Sequence, residues 1–112
     1  MESTESVAEI YESIGNNMIA SIPEENWVEA ILTTRLIGNS VDFNLKFTDK
    51  NNSIKSVKLE NGFSTMKNFK NLHAITTEGG NNRWNKAIVK LYPDGVFDMQ
   101  FIWDEGLANQ LK

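Results

Sequence analysis

Residues 41 to 47 read VDFNLKF. Val41, Phe43, Leu45 and Phe47 alternate with Asp42, Asn44 and Lys46, so the segment has one apolar and one polar face. A period of two marks a strand with one buried side and one wet side, which suits an antiparallel sheet and not a parallel sheet covered on both faces. The apolar side then needs a second layer to bury it.

Helical patterns supply that layer. Val7, Ile10, Tyr11, Ile14, Met18 and Ile22 recur at the spacing of one helical face. Ser3 or Thr4 is placed to cap this helix, Glu5 suits its positive end, and Pro23 stops it. Gly15 falls in its middle, where it marks a costly position or the close approach of a strand backbone. Met66, Phe69, Leu72 and Ile75 predict a second helix, opened by Ser64 or Thr65 and stopped by Gly79-Gly80.

Four further segments alternate like residues 41 to 47. In WVEAILTTRLIG, Val28, Ala30, Leu32, Thr34 and Leu36 share a face. SIKSVKL is weaker, and Lys55 and Lys58 suit an edge strand. Ala87, Val89 and Leu91 face one way in the fourth strand; Phe97, Met99, Phe101 and Trp103 do so in the fifth, across a turn at Pro93-Asp94-Gly95. The expected fold is α+β, a single domain over residues 1–112. Its five-stranded antiparallel sheet carries two helices on one face, in the order α-β-β-β-α-β-β.

Composition narrows the function. The 112 residues include no cysteine, which excludes disulfides and thiolate metal sites. No apolar run is long enough to span a bilayer, and MESTESVAEIYESIG lacks the basic and apolar regions of a signal peptide, so the expected location is cytoplasmic, with no membrane partner. Residues 1–34 hold seven carboxylates (Glu2, Glu5, Glu9, Glu12, Glu24, Glu25, Glu29) and no Lys or Arg. Residues 35–90 hold ten basic and four acidic side chains. Acidic ends around a basic middle disfavour direct nucleic-acid binding by those ends and suit a basic protein partner.

Catalytic signatures are missing. His73 is the only histidine and has neither a second histidine nor a carboxylate at metal spacing, so neither metal nor cofactor is expected. Gly79-Gly80-Asn81-Asn82 lacks the Lys-Ser/Thr of a phosphate loop. The acid pairs Glu24-Glu25 and Asp104-Glu105 are adjacent residues that diverge into solvent. The expectation is a protein without catalytic residues.

Two segments, IYESIGNNMIASIPEENWVEAILTTRLIGNSVDFNLKF and RWNKAIVKLYPDGVFDMQFIWDE, resemble the YezG-like immunity (antitoxin) family of bacterial toxin systems. The carriers are Ile10, Tyr11, Ile14, Ile19, Ile22, Pro23, Glu24, Glu25 and Trp27, then Trp84, Leu91, Asp94, Gly95, Phe97, Trp103, Asp104 and Glu105. The family's longer acidic middle helix is short and basic here, with Lys67 and Lys70, and its usual final Tyr is Trp103. The resemblance implies a non-enzymatic inhibitor of a cognate toxin C-terminal domain, commonly a nuclease, working inside the producing cell.

Acids beside tryptophans at both sheet ends make Glu24, Glu25, Trp27, Glu29, Trp103, Asp104 and Glu105 the candidate partner-binding residues. Trp84 shares the setting of Trp27, at a strand start among polar residues, and folding alone gives no reason for Trp103-Asp104-Glu105. The alternative is a small hydrolase or ligand-binding module using Asp42, Asn44, Lys46, Lys86 and Lys90 on the open sheet face.

Overall fold

The structure is a computed structural model that describes residues 6–23, 25–38, 40–78 and 83–109. Helix α1 spans Val7–Ser21, and strands β1, β2 and β3 follow at Trp27–Ile37, Ser40–Asp49 and Ile54–Val57. Helix α2 spans Gly62–Thr76, β4 and β5 span Lys86–Leu91 and Phe97–Ile102, and α3 is a short turn of helix at Glu105–Asn109. The expected order of the two main helices and five strands is the observed one.

All strand pairs are antiparallel, in the order β3-β2-β1-β4-β5. β1 to β3 form a meander, α2 carries the chain back across the sheet, and β4 joins the other side of β1. Ile10, Ile14 and Met18 of α1 and Phe69 and Leu72 of α2 bury against Ala30, Leu32, Leu45, Phe47, Ala87 and Val89. Both helices therefore cover one face, as the alternation requires. The opposite face carries Ile31, Thr33, Lys46, Lys86, Ile88 and Lys90. No described helix is long and apolar enough to cross a membrane.

The start of α1 differs from expectation. Ser3 and Thr4 lie outside the described residues, and Ser6 is the cap. Its hydroxyl accepts from Glu9 N at 3.1 Å while Glu9 Oε1 accepts from Ser6 N at 2.9 Å, a reciprocal capping box. Ile22 is extended (ψ 118°), as a residue before proline must be.

Gly15 meets a side chain, not a strand backbone. A Cβ there would contact only the Phe97 ring, at 3.8 Å. That is ordinary van der Waals contact, so Gly15→Ala is expected to stabilise the fold by about 1 kcal/mol through helix propensity, which thermal melting would show as a higher midpoint.

Helix α2 starts before Ser64, at Gly62, after Asn61 in left-handed backbone (φ 56°). Its stop at Gly79-Gly80 falls outside the described residues; the last helical residue is Thr76. Its inner face holds Thr65, Asn68, Phe69 and Leu72, while Ile75 is 42% exposed and Met66 is only partly buried. The reason is polar packing between helices. Asn68 Nδ2 donates to Ser13 Oγ at 2.9 Å, and Asn17 Nδ2 donates to Thr65 Oγ1 at 2.9 Å.

β1 departs from simple alternation at its start. The register with β2 shifts between Trp27 and Glu29. The bulge turns Trp27 toward the core and leaves Val28 46% exposed.

Thr34 is fully buried between Phe43 and Ala87 on the neighbouring strands, and among the described residues its hydroxyl finds no hydrogen-bond partner. Thr34→Val keeps the branched shape and removes that desolvated group, so urea denaturation is expected to show a gain of about 1 kcal/mol. A loss would mean that the hydroxyl is satisfied.

The β2–β3 turn is organised by Asp49. Its Oδ1 accepts from Asn51 N at 2.8 Å and Ser53 N at 3.0 Å, and Lys55 Nζ lies 3.3 Å from Oδ2. The Ser53 amide, before the other contacts, holds the Asp49 carboxyl below its usual value. Its contribution is therefore complete above the unfolded carboxylate range, near pH ~4, and is lost as pH falls through the lower folded value. Asp49→Asn is expected to flatten the dependence of the melting midpoint on pH below about 4; an unchanged acid limb would contradict this.

Candidate functional site

Asp104 and Glu105 sit where β5 ends and α3 begins. Asp104 Oδ1 accepts from Leu107 N at 3.0 Å, as an N-cap does. Asn85, buried before β4, grips the Asp104 backbone twice. Its Oδ1 accepts from Asp104 N at 2.7 Å and its Nδ2 donates to Asp104 O at 3.0 Å. Folding therefore accounts for Asp104, contrary to the expectation from sequence.

Trp103 is different. It lies one residue past β5 and is 40% exposed. Its indole Nε1 donates to Glu105 Oε1 at 3.0 Å, and the Arg83 guanidinium carbon stands 4.3 Å from its ring centroid. A cation over the face and a carboxylate on the N–H hold this exposed ring in one orientation. Beside it lies an open depression of about 390 Å³ lined by Leu36, Val41, Lys70, His73, Trp84 and Trp103.

The depression is held up from beneath by Trp84, which is 2% exposed and so is not a surface group like Trp103. Its Nε1 donates to Thr76 Oγ1 at 2.7 Å, and its ring packs on His73 (4.9 Å between centroids) and Phe101 (4.7 Å). His73 Nε2 lies 2.9 Å from Trp84 O and donates to it, since a carbonyl only accepts. His73 is thus a structural residue joining α2 to the start of β4.

The remaining candidates are at the other end of the strands. Glu24 lies outside the described residues, Glu25 is exposed, and Trp27 packs against the core. Glu29 faces the open side of the sheet, where its Oε2 accepts from the Tyr92 hydroxyl at 2.8 Å. That bond, more than burial, raises the Tyr92 pKa. β1 runs 11 residues from Trp27 to Ile37, and Ile102 is in register through Lys86 with Arg35 near its end. The two groups of candidates are therefore separated by roughly 30 Å of strand. Trp103, Asp104 and Glu105 are brought together; Glu25, Trp27 and Glu29 are not brought to them. Arg83, absent from the sequence-based set, joins Trp103 because the turn before β4 meets the end of β5. The only signal for it in the sequence is its place next to Trp84.

The open sheet face forms a shallow groove of about 760 Å³. Its charges are arranged across strands: Arg35 bonds Asp42, Glu29 bonds Tyr92, and Lys90 stands opposite Asp98. Ile31, Thr33 and Ile88 lie between them. Among the described residues, no cluster of three or more His, Asp or Glu is placed to hold a metal. No family model and no curated protein sequence matches the chain.

Proposed function

We propose that this protein is an immunity protein of the YezG-like kind. It acts in the cytoplasm, without a cofactor, by binding the C-terminal domain of a cognate bacterial toxin, a nuclease, and occluding a surface the toxin needs. The observation that carries the reading is Trp103, exposed yet fixed between Arg83 and Glu105 beside an open depression. Trp and Arg are the side chains that dominate binding energy at protein interfaces, and a ring already held in place loses little entropy on association.

Two further features support contact over catalysis. On the open face both carboxylates that line the groove are engaged, Asp42 with Arg35 and Glu29 with Tyr92, which leaves Lys46 and Lys86 there, among the described residues, without a carboxylate outside those pairs to act as acid or base. The matched motifs Ile22-Pro23-Glu24-Glu25-Trp27 and Trp103-Asp104-Glu105 belong to the resemblance already described. Exposed carboxylates such as Glu105 suit the basic cleft of a nuclease and would speed its capture. The direct experiment is co-expression with the C-terminal domain of the toxin encoded next to this gene. Survival is the expected result; equal killing with and without this protein would end the proposal.

A further inference from the structure

Helix α1 carries two apolar stripes. Ile10, Ile14 and Met18 are fully buried in the core. Tyr11, Gly15 and Ile19, with Ala8, recur at the same helical spacing but line a separate open groove of about 420 Å³, closed on its far side by Phe97. Ile19 at its rim is 50% exposed. Tyr11 is half-buried and packs on Phe97 (5.4 Å between ring centroids), whereas Ile19 is not part of the core cluster.

Three other observations bear on the same place. β5 is an edge strand, with no described element pairing to its outer side. The opposite edge, β3, has only four residues and carries Lys55, a device that discourages strand addition, whereas β5 has six and no lysine. The surroundings are acidic: Glu9 and Glu12 on α1, which has no basic residue, and Asp94 in the adjoining turn; Asp98 of β5, opposite Lys90, lies on the other face of the sheet. Finally, packing does not demand Gly15, since a Cβ there would make only ordinary contact. What its missing side chain does is keep the groove floor open.

We propose that the β5 edge and this groove are a docking site for an extended, basic segment of a partner protein. The segment adds to the sheet beside β5 through main-chain hydrogen bonds. Alternate side chains of an added strand point to the helix side, where one apolar group seats against Tyr11, Gly15 and Ile19. Flanking Lys or Arg meet the carboxylates of α1 and the β4–β5 turn. The site is at the Gly95 end of the hairpin, away from Trp103, and the proposal stands whether or not the partner is a toxin.

The probe is a synthetic peptide of alternating lysine and leucine, titrated into the isotope-labelled full chain and followed by amide chemical shifts. Its glutamate–leucine counterpart is the control. The expected result is saturable shifts along β5 and the Tyr11–Ile19 face, weakened by salt, with the glutamate peptide inert. Ile19→Arg, at an exposed position, should weaken the lysine peptide about tenfold or more. Gly15→Ala should raise the melting temperature by about 4 °C yet also weaken the peptide. Shifts centred on β3 or Trp103, equal binding of the acidic peptide, no saturable shift, or unaltered affinity in both variants would overturn the proposal. Toxin co-expression is a separate readout, so its failure leaves this result intact.

Discussion

Trp103→Ala is expected to weaken binding of the proposed toxin partner by about 2–4 kcal/mol, about 30- to 1,000-fold in Kd, and to leave the fold intact. The ring is 40% exposed and lies beyond the last strand residue, so its loss opens no core cavity. It does remove the group on which Arg83 stacks and to which Glu105 is bonded, so both charged side chains would also lose their fixed orientation. Trp103→Phe keeps an aromatic ring for Arg83 to stack on but loses the indole N–H and the second ring, and it should fall between wild type and Ala. Calorimetric titration gives the affinity, and circular dichroism melting checks that the fold is retained. A Kd changed less than about threefold in the folded Ala variant would remove Trp103 from the interface.

Charge reversal needs more care at this end of the sheet. Asp104 caps α3, so replacing it by Lys would unravel the helix start and mix folding with binding. Glu105→Lys alone is the clean probe, because Glu105 is exposed and its side chain bonds only the Trp103 indole among the described residues.

The fold was legible in the sequence wherever periodicity carried it. Residues 41 to 47 alternate as read, and Leu45 and Phe47 are buried. The hairpin turn also forms as read: Tyr92 N donates to Val96 O at 3.0 Å, and Gly95 takes the positive φ (92°) that its residue type permits. Periodicity failed where a single residue broke the phase or where polar groups did apolar work. The bulge at Trp27 cannot be seen in a pattern that assumes unbroken pairing. Asn68 and Thr65 are buried because Ser13 and Asn17 on α1 satisfy them, a tertiary fact that no local window contains.

The candidate site was legible in part, for a related reason. Sequence adjacency put Trp103 with Asp104 and Glu105, and the structure keeps Trp103 and Glu105 in contact. Adjacency says nothing about residues brought in from another strand, which is how Arg83 arrives. Nor does the pairing of Trp with nearby acids distinguish surface from interior. Trp84 and Trp103 both stand near polar residues, but one is enclosed by α2 and Phe101 and the other is not.

Trp84→Ala is the counterpart to Trp103→Ala and should cost the fold about 3–5 kcal/mol. The side chain fills the space between the end of α2 and β5, and its burial, two ring contacts and indole bond are lost together. Trp84→Phe should cost less, about 1–2 kcal/mol, since Thr76 Oγ1 still donates to Leu72 O at 2.8 Å and is not left alone. Urea denaturation measures both; an Ala variant within about 1 kcal/mol of wild type would show that α2 does not depend on this contact. The pair of variants also separates two meanings of tryptophan in this chain. Because Trp84 and Trp103 line the same depression, Trp84→Ala should lower stability and binding together, and Trp103→Ala binding alone. If Trp84→Ala lowered stability but kept full affinity, the surface around Trp103 would have to be rigid without its floor, and the binding energy would have to come from elsewhere.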